Sequence, residues 1–540
     1  MKIFSKSQDK TWLNPKKLFA NVLLFLILLP IFYIFFYITS PIKPNTHVLF
    51  DSYLKIIIKD TFIIVFFVMI FSSIIGVFLA YFECFYEYKF KRFFSFVLVL
   101  PFAVPSYLFA YIYTDFFGYF GWFMSLVRAN FGINLSMDIM NIYGCIFVLT
   151  LAFFPYVYIL LRGFLKHFNN SLIDSARSLG KSDFAIFFKV VLPLSKPCII
   201  AGASLCMMET LNAYGAPNYF GLQVFSTGIY KAWIGYSDLN AAIKLASILI
   251  LFVFVWVFGQ KLFTRPYTQA KGDKLVAKKL SKKSEVIVVS LFSFVFFVSF
   301  LLPMICLFVW FYRSFDSVDY VNLLKVSKNT ILLTLFSSFL IVLVSLFLVS
   351  VKRFEKGKAK QISTSLANIG YSIPGSVVAI CMLVIFISVD NALKPLYEYL
   401  KLDKALFLTL SPVVLIYAYM IRFLSLSYMG VESALNKLPI SLHEASLSLG
   451  KSPFKTFLLV DFKLIIPSVI SAFILVFIEI IKELPLASML SYGDFKTLSF
   501  EMDRYASDEQ LALVSAPALV VVLICFALLV CFNMIKKDKK

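Results

Sequence analysis

The chain has 540 residues, of which 60% are hydrophobic and 63 are Phe, and its formal net charge is +21 at pH 7. This composition excludes a soluble globular protein, because apolar runs close to the ~20 residues that span a bilayer recur along the sequence. Nucleic-acid binding is disfavoured, because the basic residues form short clusters between apolar runs, as on the cytoplasmic side of a membrane protein.

Twelve apolar runs, six in each half, predict an all-α integral membrane protein. A basic segment at residues 1–17 precedes the first run, which is long for a signal-peptide core and predicts a retained anchor. A basic linker at 261–284 separates module 1 (18–260) from module 2 (285–533), and residues 534–540 form a basic tail. The predicted spans lie near 18–39, 58–81, 94–114, 141–161, 197–216, 241–260, 285–311, 329–350, 364–388, 406–428, 465–488 and 511–533.

A polar segment occurs twice, at residues 171–197 and 441–467, with a constant offset of 270 residues. We call these stretches the first and second polar segments. The pentapeptide Ser-Leu-Gly-Lys-Ser recurs within them at 178–182 and 448–452. Because the surrounding chain is apolar, we expect these segments to contact something other than lipid.

Each polar segment is predicted to begin with a short capped helix. Ser171 with Asp174, and Ser441 with Glu444, fit the Ser-x-x-acid capping box that starts a helix. Glycine commonly follows a helix end because it tolerates positive φ, so Gly180 and Gly450 are expected to end these helices. Serine N-caps at 182 and 452 then begin a second helix, which makes each segment a rigid helix–turn–helix.

The distribution of Lys and Arg predicts the orientation of the chain. With the N-terminus in the cytoplasm, the basic linker and tail and both polar segments lie on the cytoplasmic side, and so do both termini. The repeat extends to Tyr158 with Tyr428 and Glu209 with Glu479 at the same offset. Because six spans separate the copies, the two modules form a parallel repeat, and one pathway at their interface is expected.

No catalytic residue and no metal ligand is assigned. Gly-Lys-Ser at 180–182 and 450–452 resembles the end of a phosphate-binding loop, but the earlier glycine of that motif falls at Ser175 and Ala445. The eight Cys contain no Cys-x-x-Cys pair, and none of the three His has a metal-ligating neighbour at a useful spacing.

Charged and proline residues in the spans are candidates for a pathway. Ionisable side chains are costly in lipid, so those of the fifth spans either line a pathway or form structural pairs, and both readings stay open. Proline interrupts the helical hydrogen-bond ladder and is expected to kink a span. The charged candidates are Glu209, Glu479, Lys482 and Glu483, and the candidate kinks are Pro105, Pro155 and Pro374.

The duplicated polar segments resemble the "EAA" loop of permease subunits of ATP-binding-cassette (ABC) importers. The motif begins Glu-Ala-Ala in the family, and here it reads Asp174-Ser175-Ala176 and Glu444-Ala445-Ser446. The resemblance covers the whole chain as two fused permease modules with the type I ABC importer fold. Further stretches are similar to the fused permeases of ferric-iron importers, namely 208–211, 219–221, 225–233, 373–380 and 482–485.

The resemblance implies a partner set and a role for the polar segments. In the family, the first helix of each segment couples the permease to an ATPase subunit, so two ATPase copies and a periplasmic binding protein are expected. ATP and Mg would bind the ATPase, with no cofactor on this chain, in a bacterial inner membrane. The implied coupling residues are Asp174, Ser175, Ala176, Gly180, Glu444, Ala445, Ser446 and Gly450.

Several alternatives remain open from the sequence. The two acids of the motif could merely cap their own helices. Thiamine, phosphonates or polyamines could replace ferric iron as the cargo, and none of the 28 Tyr is assigned as an iron ligand. A twelve-span secondary transporter and a membrane-embedded enzyme, such as a lipid-linked transferase, are the other classes considered.

Overall fold

A computed structural model describes residues 15–33, 38–133, 137–263, 276–353, 357–401, 406–493 and 495–537. Most of the predicted basic N-terminal segment (1–14), the middle of the linker (264–275) and the last three residues of the tail (538–540) lie outside the described residues. The described chain is all-α apart from one parallel pair of two-residue strands, β1 (Tyr86–Glu87) and β2 (Lys278–Lys279).

Short helices alternate with long apolar ones in the first half of the chain. Its helices are α1 (Pro15–Tyr33), α2 (Leu54–Phe85), α3 (Lys91–Val97), α4 (Ser106–Phe117), α5 (Trp122–Phe131), α6 (Ile142–Leu165), α7 (Asn170–Ser178), α8 (Asp183–Ile186), α9 (Leu192–Asn212), α10 (Gly215–Tyr219), α11 (Phe225–Tyr230) and α12 (Leu239–Phe263).

The second half repeats this alternation. Its helices are α13 (Lys282–Phe296), α14 (Leu302–Ser314), α15 (Tyr320–Lys352), α16 (Gly357–Ser372), α17 (Gly375–Tyr399), α18 (Pro412–Asn436), α19 (Ile440–Ser448), α20 (Pro453–Thr456), α21 (Phe462–Ile481), α22 (Pro485–Leu490), α23 (Leu498–Ser507) and α24 (Leu511–Lys537).

Ten helices of the described residues are long and apolar enough to cross a membrane. The predicted first run appears as a shorter apolar helix, Lys17–Phe32, and the predicted third run as a helix pair, Lys91–Ala103 and Ser106–Phe131, bent by 93°. The predicted run at 364–388 has different bounds in the structure: the chain breaks before Pro374, and the span is Gly375–Tyr399. Proline explains this shift, because it disfavours helical geometry in the residue before it.

The described residues form two compact units that do not follow the two sequence modules. One unit comprises the described parts of Met1–Ser40, Leu324–Thr497 and Val530–Lys540. The other comprises those of Pro41–Leu323 and Leu498–Leu529. Each unit therefore contains helices from both halves of the sequence, whereas the predicted module bounds describe the sequence repeat alone and stay a prediction.

In the unit that contains Pro41–Leu323, two helices flank the first polar segment, α6 before it and α9 after it. Both pack closely against α2. Helices α2, α6 and α9 meet around Val157. A Cβ added to Gly76 would lie 2.7 Å from the Val157 Cβ, and one added to Gly202 would lie 2.9 Å from the Val157 Cα. These glycines allow the backbones to approach, as small residues do at membrane helix crossings.

The other unit has a comparable close crossing between α16 and α18. A Cβ added to Gly370 would lie 1.8 Å from the carbonyl oxygen of Ile421. In the same unit, α1 packs against α17 and α18, where the hydroxyl of Tyr417 donates a hydrogen bond to the carbonyl of Leu26. Helix α18 also packs against α21, so the two helices that flank the second polar segment pack against each other.

The crossing at Gly370 predicts a large stability difference between two glycine-to-alanine substitutions. Gly370→Ala must push α16 from α18, at a cost of about 3 kcal/mol. Gly430→Ala is the control, because its added Cβ would lie at an ordinary 3.5 Å from the Ala472 Cβ, and alanine favours the helix by up to ~1 kcal/mol. Thermal unfolding of the purified chain in detergent measures the stability of both variants. Equal unfolding midpoints would contradict the close crossing of α16 and α18.

Candidate functional site

The two polar segments fold in the same way. In the first, α7 is followed by a turn at Gly180 and by α8, which continues through a π-helical turn at Phe187–Val191 into α9. In the second, α19, the turn at Gly450 and α20 lead through a π-helical turn at Phe457–Asp461 into α21. The predicted helix–turn–helix is confirmed in both copies.

The glycine turns and the second N-caps lie where the sequence predicts them. Gly180 has φ of +71° and Gly450 has φ of +76°, the left-handed conformation that glycine adopts without strain. The Oγ of Ser182 accepts a hydrogen bond from Ala185 N–H at 3.3 Å. The Oγ of Ser452 likewise accepts one at 3.4 Å from the N–H three residues later.

The predicted capping boxes are wrong in both segments. Helix α7 starts one residue before Ser171, and the side chain of Asn169 caps it by accepting from the Ser171 N–H at 3.0 Å. Helix α19 follows Pro439, which fixes the backbone entry without any side-chain cap. The motif acids therefore do not cap their own helices, and that alternative is wrong.

The motif residues lie mainly on the exposed face of each segment. Asp174 accepts a hydrogen bond from Asn170 Nδ2 at 2.6 Å and lies 3.8 Å from Arg177, while Glu444 is exposed. Ser446 Oγ lies 3.0 Å from Thr456 Oγ1, which ties α19 to α20. Of the remaining motif residues, Ser175 and Ala445 are exposed and Ala176 is buried.

Both segments also expose apolar side chains at corresponding positions. Leu179 and Leu449, beside the glycines, are 78% and 82% exposed. Phe184 and Phe454, at the start of the second helices, are 75% and 63% exposed. Apolar side chains projecting from a polar segment are typical of a protein–protein contact. We call Leu179 with Phe184, and Leu449 with Phe454, the first and second apolar tips.

The first polar segment is anchored by an apolar contact surface and by surface ion pairs. Ile173 on α7 and Val191 at the end of the π-helical turn are both buried. On the outside, Lys278 Nζ lies 2.7 Å from Asp183 Oδ2, and Arg177 Nη2 lies 3.4 Å from Asp183 Oδ1. The described end of the linker, which contains Lys278, therefore braces this segment.

The second polar segment is anchored by a buried ionic network that the sequence analysis missed. His443 Nδ1 lies 2.6 Å from Asp461 Oδ2, and Arg353 Nη1 lies 2.8 Å from Asp461 Oδ1. All three side chains are at most 7% exposed. The repeat offset of 270 residues pairs His443 with Ile173 and Asp461 with Val191. This joint replacement is the feature of the sequence that could have predicted the network. Coordinated replacement of two apolar residues by an imidazole and a carboxylate indicates contact.

The three glutamates of the fifth spans are buried, Lys482 is half-buried, and most of these residues have identified contacts. Lys482 Nζ lies 3.2 Å from Glu479 Oε1, so the predicted pair is present. Glu483 Oε2 accepts a hydrogen bond from Leu486 N–H at 2.8 Å at the start of α22. Glu209 is also buried. These contacts give Glu479, Lys482 and Glu483 structural partners, and a pathway role for any of the four stays a prediction.

The three candidate prolines have two different environments. Pro105 precedes α4 at the 93° bend, and Pro374 precedes α17 at the break after α16. Pro155 instead lies inside α6, which remains one continuous helix of 24 residues. Over the described ranges, no group of three or more His, Cys, Asp or Glu side chains could hold a metal ion.

The family described as "Binding-protein-dependent transport system inner membrane component" matches the chain twice, at residues 72–268 and 341–539. The chain belongs to this family. Each family match contains one polar segment, so the repeat found in the sequence is a repeat of the family's permease module. The protein is thus a fused two-module permease, a multi-pass component of the inner membrane.

The most similar relatives include ferric transport permeases. The Fe(3+)-transport system permease protein FbpB 2 of Haemophilus influenzae is 26% identical over 488 residues, which cover 89% of this chain and 90% of the relative. The ferric transport system permease protein FbpB of Actinobacillus pleuropneumoniae is 22% identical over 97% of this chain and 79% of its own length. A solved bacterial alginate ABC transporter matches 48% of the chain at 16% identity, with a TM-score of 0.39.

Family membership decides between the classes that the sequence left open. A permease of a binding-protein-dependent transport system is a transport subunit, which disfavours a lipid-linked transferase. It also disfavours a secondary transporter, which needs no such assembly and gives no account of the two matching polar segments. A binding-protein-dependent permease accounts for both matched modules and for the polar segment in each.

Proposed function

We propose that this permease carries ferric iron across the bacterial inner membrane, driven by a separate ATPase that docks on the two polar segments. A periplasmic binding protein delivers the cargo. Iron is proposed because the two ferric relatives align with 89% and 97% of the chain, and therefore with both permease modules. Relatives with other cargo, such as a spermidine/putrescine permease, align with 33% of it.

One observation carries the coupling half of this proposal. Two helix–turn–helix segments, with positive-φ glycines and exposed apolar tips at matching positions, occur once in each permease module. A duplicated contact surface fits a partner that is itself present in two copies, because each copy then finds the same chemistry. We assign ATP and Mg to that partner and no cofactor to this chain.

The local structure suits transmission of a displacement. Each polar segment runs through a π-helical turn directly into a long apolar helix, without a loop between them. Closure of the ATPase dimer on ATP binding would move the segments, and the continuous helices α9 and α21 would carry this movement into the membrane. The binding protein then releases iron into a pathway that opens outward. In this account the polar segments and both termini are cytoplasmic.

Gly450→Val tests the coupling. Valine at φ of +76° strains the backbone by about 1–2 kcal/mol, although no atom lies within 4 Å of an added Cβ. We expect the turn to reorganise, with at least about a tenfold loss of co-purifying ATPase. Gly430→Ala is the control. Gly430 lies in the helical backbone of α18, which accepts alanine, so this variant should keep the ATPase.

The outcome separates two explanations. Loss of the ATPase from the Gly450→Val chain, with normal membrane levels, supports docking at the second polar segment. Retention of the ATPase at the level of the Gly430→Ala chain would refute the role of this turn. A chain that co-purifies with no ATPase from its own cell, even without substitution, would refute the ABC importer assignment.

A further inference from the structure

Four oxygen-bearing side chains lie on neighbouring elements of the compact unit that contains Pro41–Leu323 and Leu498–Leu529. The hydroxyl of Tyr111 on α4 donates a hydrogen bond to Asp503 Oδ1 on α23 at 2.9 Å. The ring centroids of Tyr214 and Tyr230 lie 4.7 Å apart, and Tyr214 directly precedes α10, which packs against both α4 and α23. We call these four residues the tyrosine–aspartate cluster. It joins four separate stretches of the chain.

Asp503 has little to compensate its charge. Its half-buried carboxylate accepts the hydrogen bond from Tyr111, and no Lys, Arg or His of the described residues forms an ion pair with it. Carboxylates removed from water normally acquire a cation or several hydrogen bonds, because an uncompensated charge is costly.

Asp390 in the other compact unit is an aspartate whose buried charge is compensated by several hydrogen bonds. It also accepts from a tyrosine, Tyr397, at 2.7 Å. In addition it accepts from the backbone N–H groups of Leu408 and Thr409 and from the Thr409 hydroxyl, at 2.6–3.0 Å. Asp390 therefore holds a loop in place, whereas the Asp503 carboxylate accepts a single hydrogen bond from the described residues, that of Tyr111.

The cluster lies where the sequence repeat expects a pathway. Helices α10 and α22 follow the fifth spans, and α11 and α23 follow them in turn. Aligning Ser226 with Ser499 on these helices pairs Tyr230 with Asp503. The cluster therefore draws on corresponding helices of both repeats, and transporters with internal repeats bind substrate at the repeat interface.

The donor set has a clear chemical preference. Carboxylate and phenol oxygens are hard ligands, which suit small, highly charged cations rather than soft ones. On binding, the Tyr111–Asp503 hydrogen bond would be exchanged for oxygen–metal bonds. The phenol proton would pass to water or to the anion that accompanies the metal. Water or that anion would fill the remaining coordination positions, so the metal is held weakly enough to move on.

We propose that the tyrosine–aspartate cluster is a transit site that coordinates ferric iron on its way through the permease. This inference rests on the proposed iron cargo and names the residues that contact it. The opposing interpretation is a structural hydrogen bond that holds α23 against α4. The two differ in what they require of residue 503, since a hydrogen bond needs only an acceptor and a cation site needs a charge.

Two substitutions separate these interpretations. Asp503→Asn retains an oxygen that accepts from Tyr111 but removes the charge, and Tyr111→Phe retains the ring contact with Tyr219, whose ring lies 4.7 Å away. Tyr397→Phe is the matched control, because it removes a tyrosine–aspartate hydrogen bond in the other unit. Asp503→Glu, which restores a carboxylate, serves as the rescue variant and guards against misfolding of the asparagine variant.

The first experiment measures ferric citrate uptake by cells that express each full-length chain at matched membrane levels. We expect at least about a tenfold loss for Asp503→Asn and for Tyr111→Phe, as for metal ligands. Partial recovery is expected for Asp503→Glu and full uptake for Tyr397→Phe. The second experiment titrates the purified chain with ferric citrate and follows the visible absorption of an iron–phenolate bond, which Tyr111→Phe should diminish.

Each outcome is decisive for one of the two claims. If the unsubstituted chain supports iron uptake and both cluster variants match the Tyr397→Phe control, the transit site is overturned and the iron cargo stands. If the unsubstituted chain supports no iron uptake, the proposed function is overturned and this inference falls with it. Loss of uptake in both variants, with retained ATPase and a lost phenolate absorption, supports the site.

Discussion

Replacing Phe454 by aspartate is expected to weaken binding of the ATPase about 30-fold, because an exposed aromatic anchor of an interface contributes about 2 kcal/mol. The side chain is 63% exposed, so the substitution costs the folded chain itself little. Phe184→Asp at the first apolar tip should act similarly, and the double variant should lose nearly all binding. The measurement is a titration of the detergent-solubilised chain with purified ATPase.

Val276→Asp is the control for this prediction. Val276 is 70% exposed and belongs to the basic linker, which is predicted to face the same side of the membrane. Val276→Asp therefore introduces the same negative charge on the same side of the membrane, but outside the apolar tips. Weakening by Val276→Asp to the same degree would attribute the effect to surface charge, and unchanged binding in the double Phe variant would remove the apolar tips from the interface.

Asp461→Asn is expected to destabilise the chain by about 3–5 kcal/mol, because it removes the buried negative charge that the Arg353 guanidinium and His443 both contact. The side chains of Asp461 and Arg353 are 2% and 5% exposed, so water cannot replace the lost partner. The contact with His443 weakens as well, so α19 should detach from the π-helical turn at Phe457–Asp461. Thermal unfolding of the purified chain measures the loss, and proteolysis within α19 reports its detachment.

Asp183→Asn in the first polar segment is the matched control. Its carboxylate pairs with Lys278 and Arg177, but its side chain is 36% exposed, and exposed ion pairs contribute about 0–1 kcal/mol. We therefore expect a small change in its unfolding midpoint. Equal midpoints for Asp461→Asn and Asp183→Asn would show that the buried network does not anchor the second segment.

The two anchors explain why similar sequences need not respond alike. The first polar segment rests on the apolar contacts of Ile173 and Val191, and the second on the ionic contacts of His443 and Asp461. Apolar contacts tolerate small shifts, whereas a buried ion pair requires its geometry to be kept. Substitutions in the second segment should therefore impair coupling more sharply than their counterparts in the first.

Local backbone chemistry was predictable from the sequence. The turns at Gly180 and Gly450 and the caps at Ser182 and Ser452 depend on one residue and its immediate neighbours, and all four are found as predicted. The all-α class and the apolar spans were also predictable, since hydrophobic length alone signals them. The repeat placed both polar segments at the same point of each module.

The starts of the polar-segment helices and the contacts between distant residues were not predicted. The capping boxes failed because Asn169 and Pro439, just outside the expected motif, begin the helices instead. The ionic network needs Arg353 from the end of α15, and hydrophobic periodicity carries no information about that contact. The tyrosine–aspartate cluster likewise joins α4 to α23, and only the fold brings these helices together.

The most direct test of the central claim is ferric iron uptake into liposomes that contain the chain with its ATPase and binding protein. ATP is enclosed in the lumen of one set and omitted from the other. We predict iron accumulation that requires lumenal ATP and binding protein, with no accumulation of thiamine, phosphonate or polyamine tracers. Accumulation of another tracer would keep the ATP-driven permease and refute the iron cargo. Iron uptake that proceeds without ATP and follows an ion gradient would contradict the account and restore the secondary transporter.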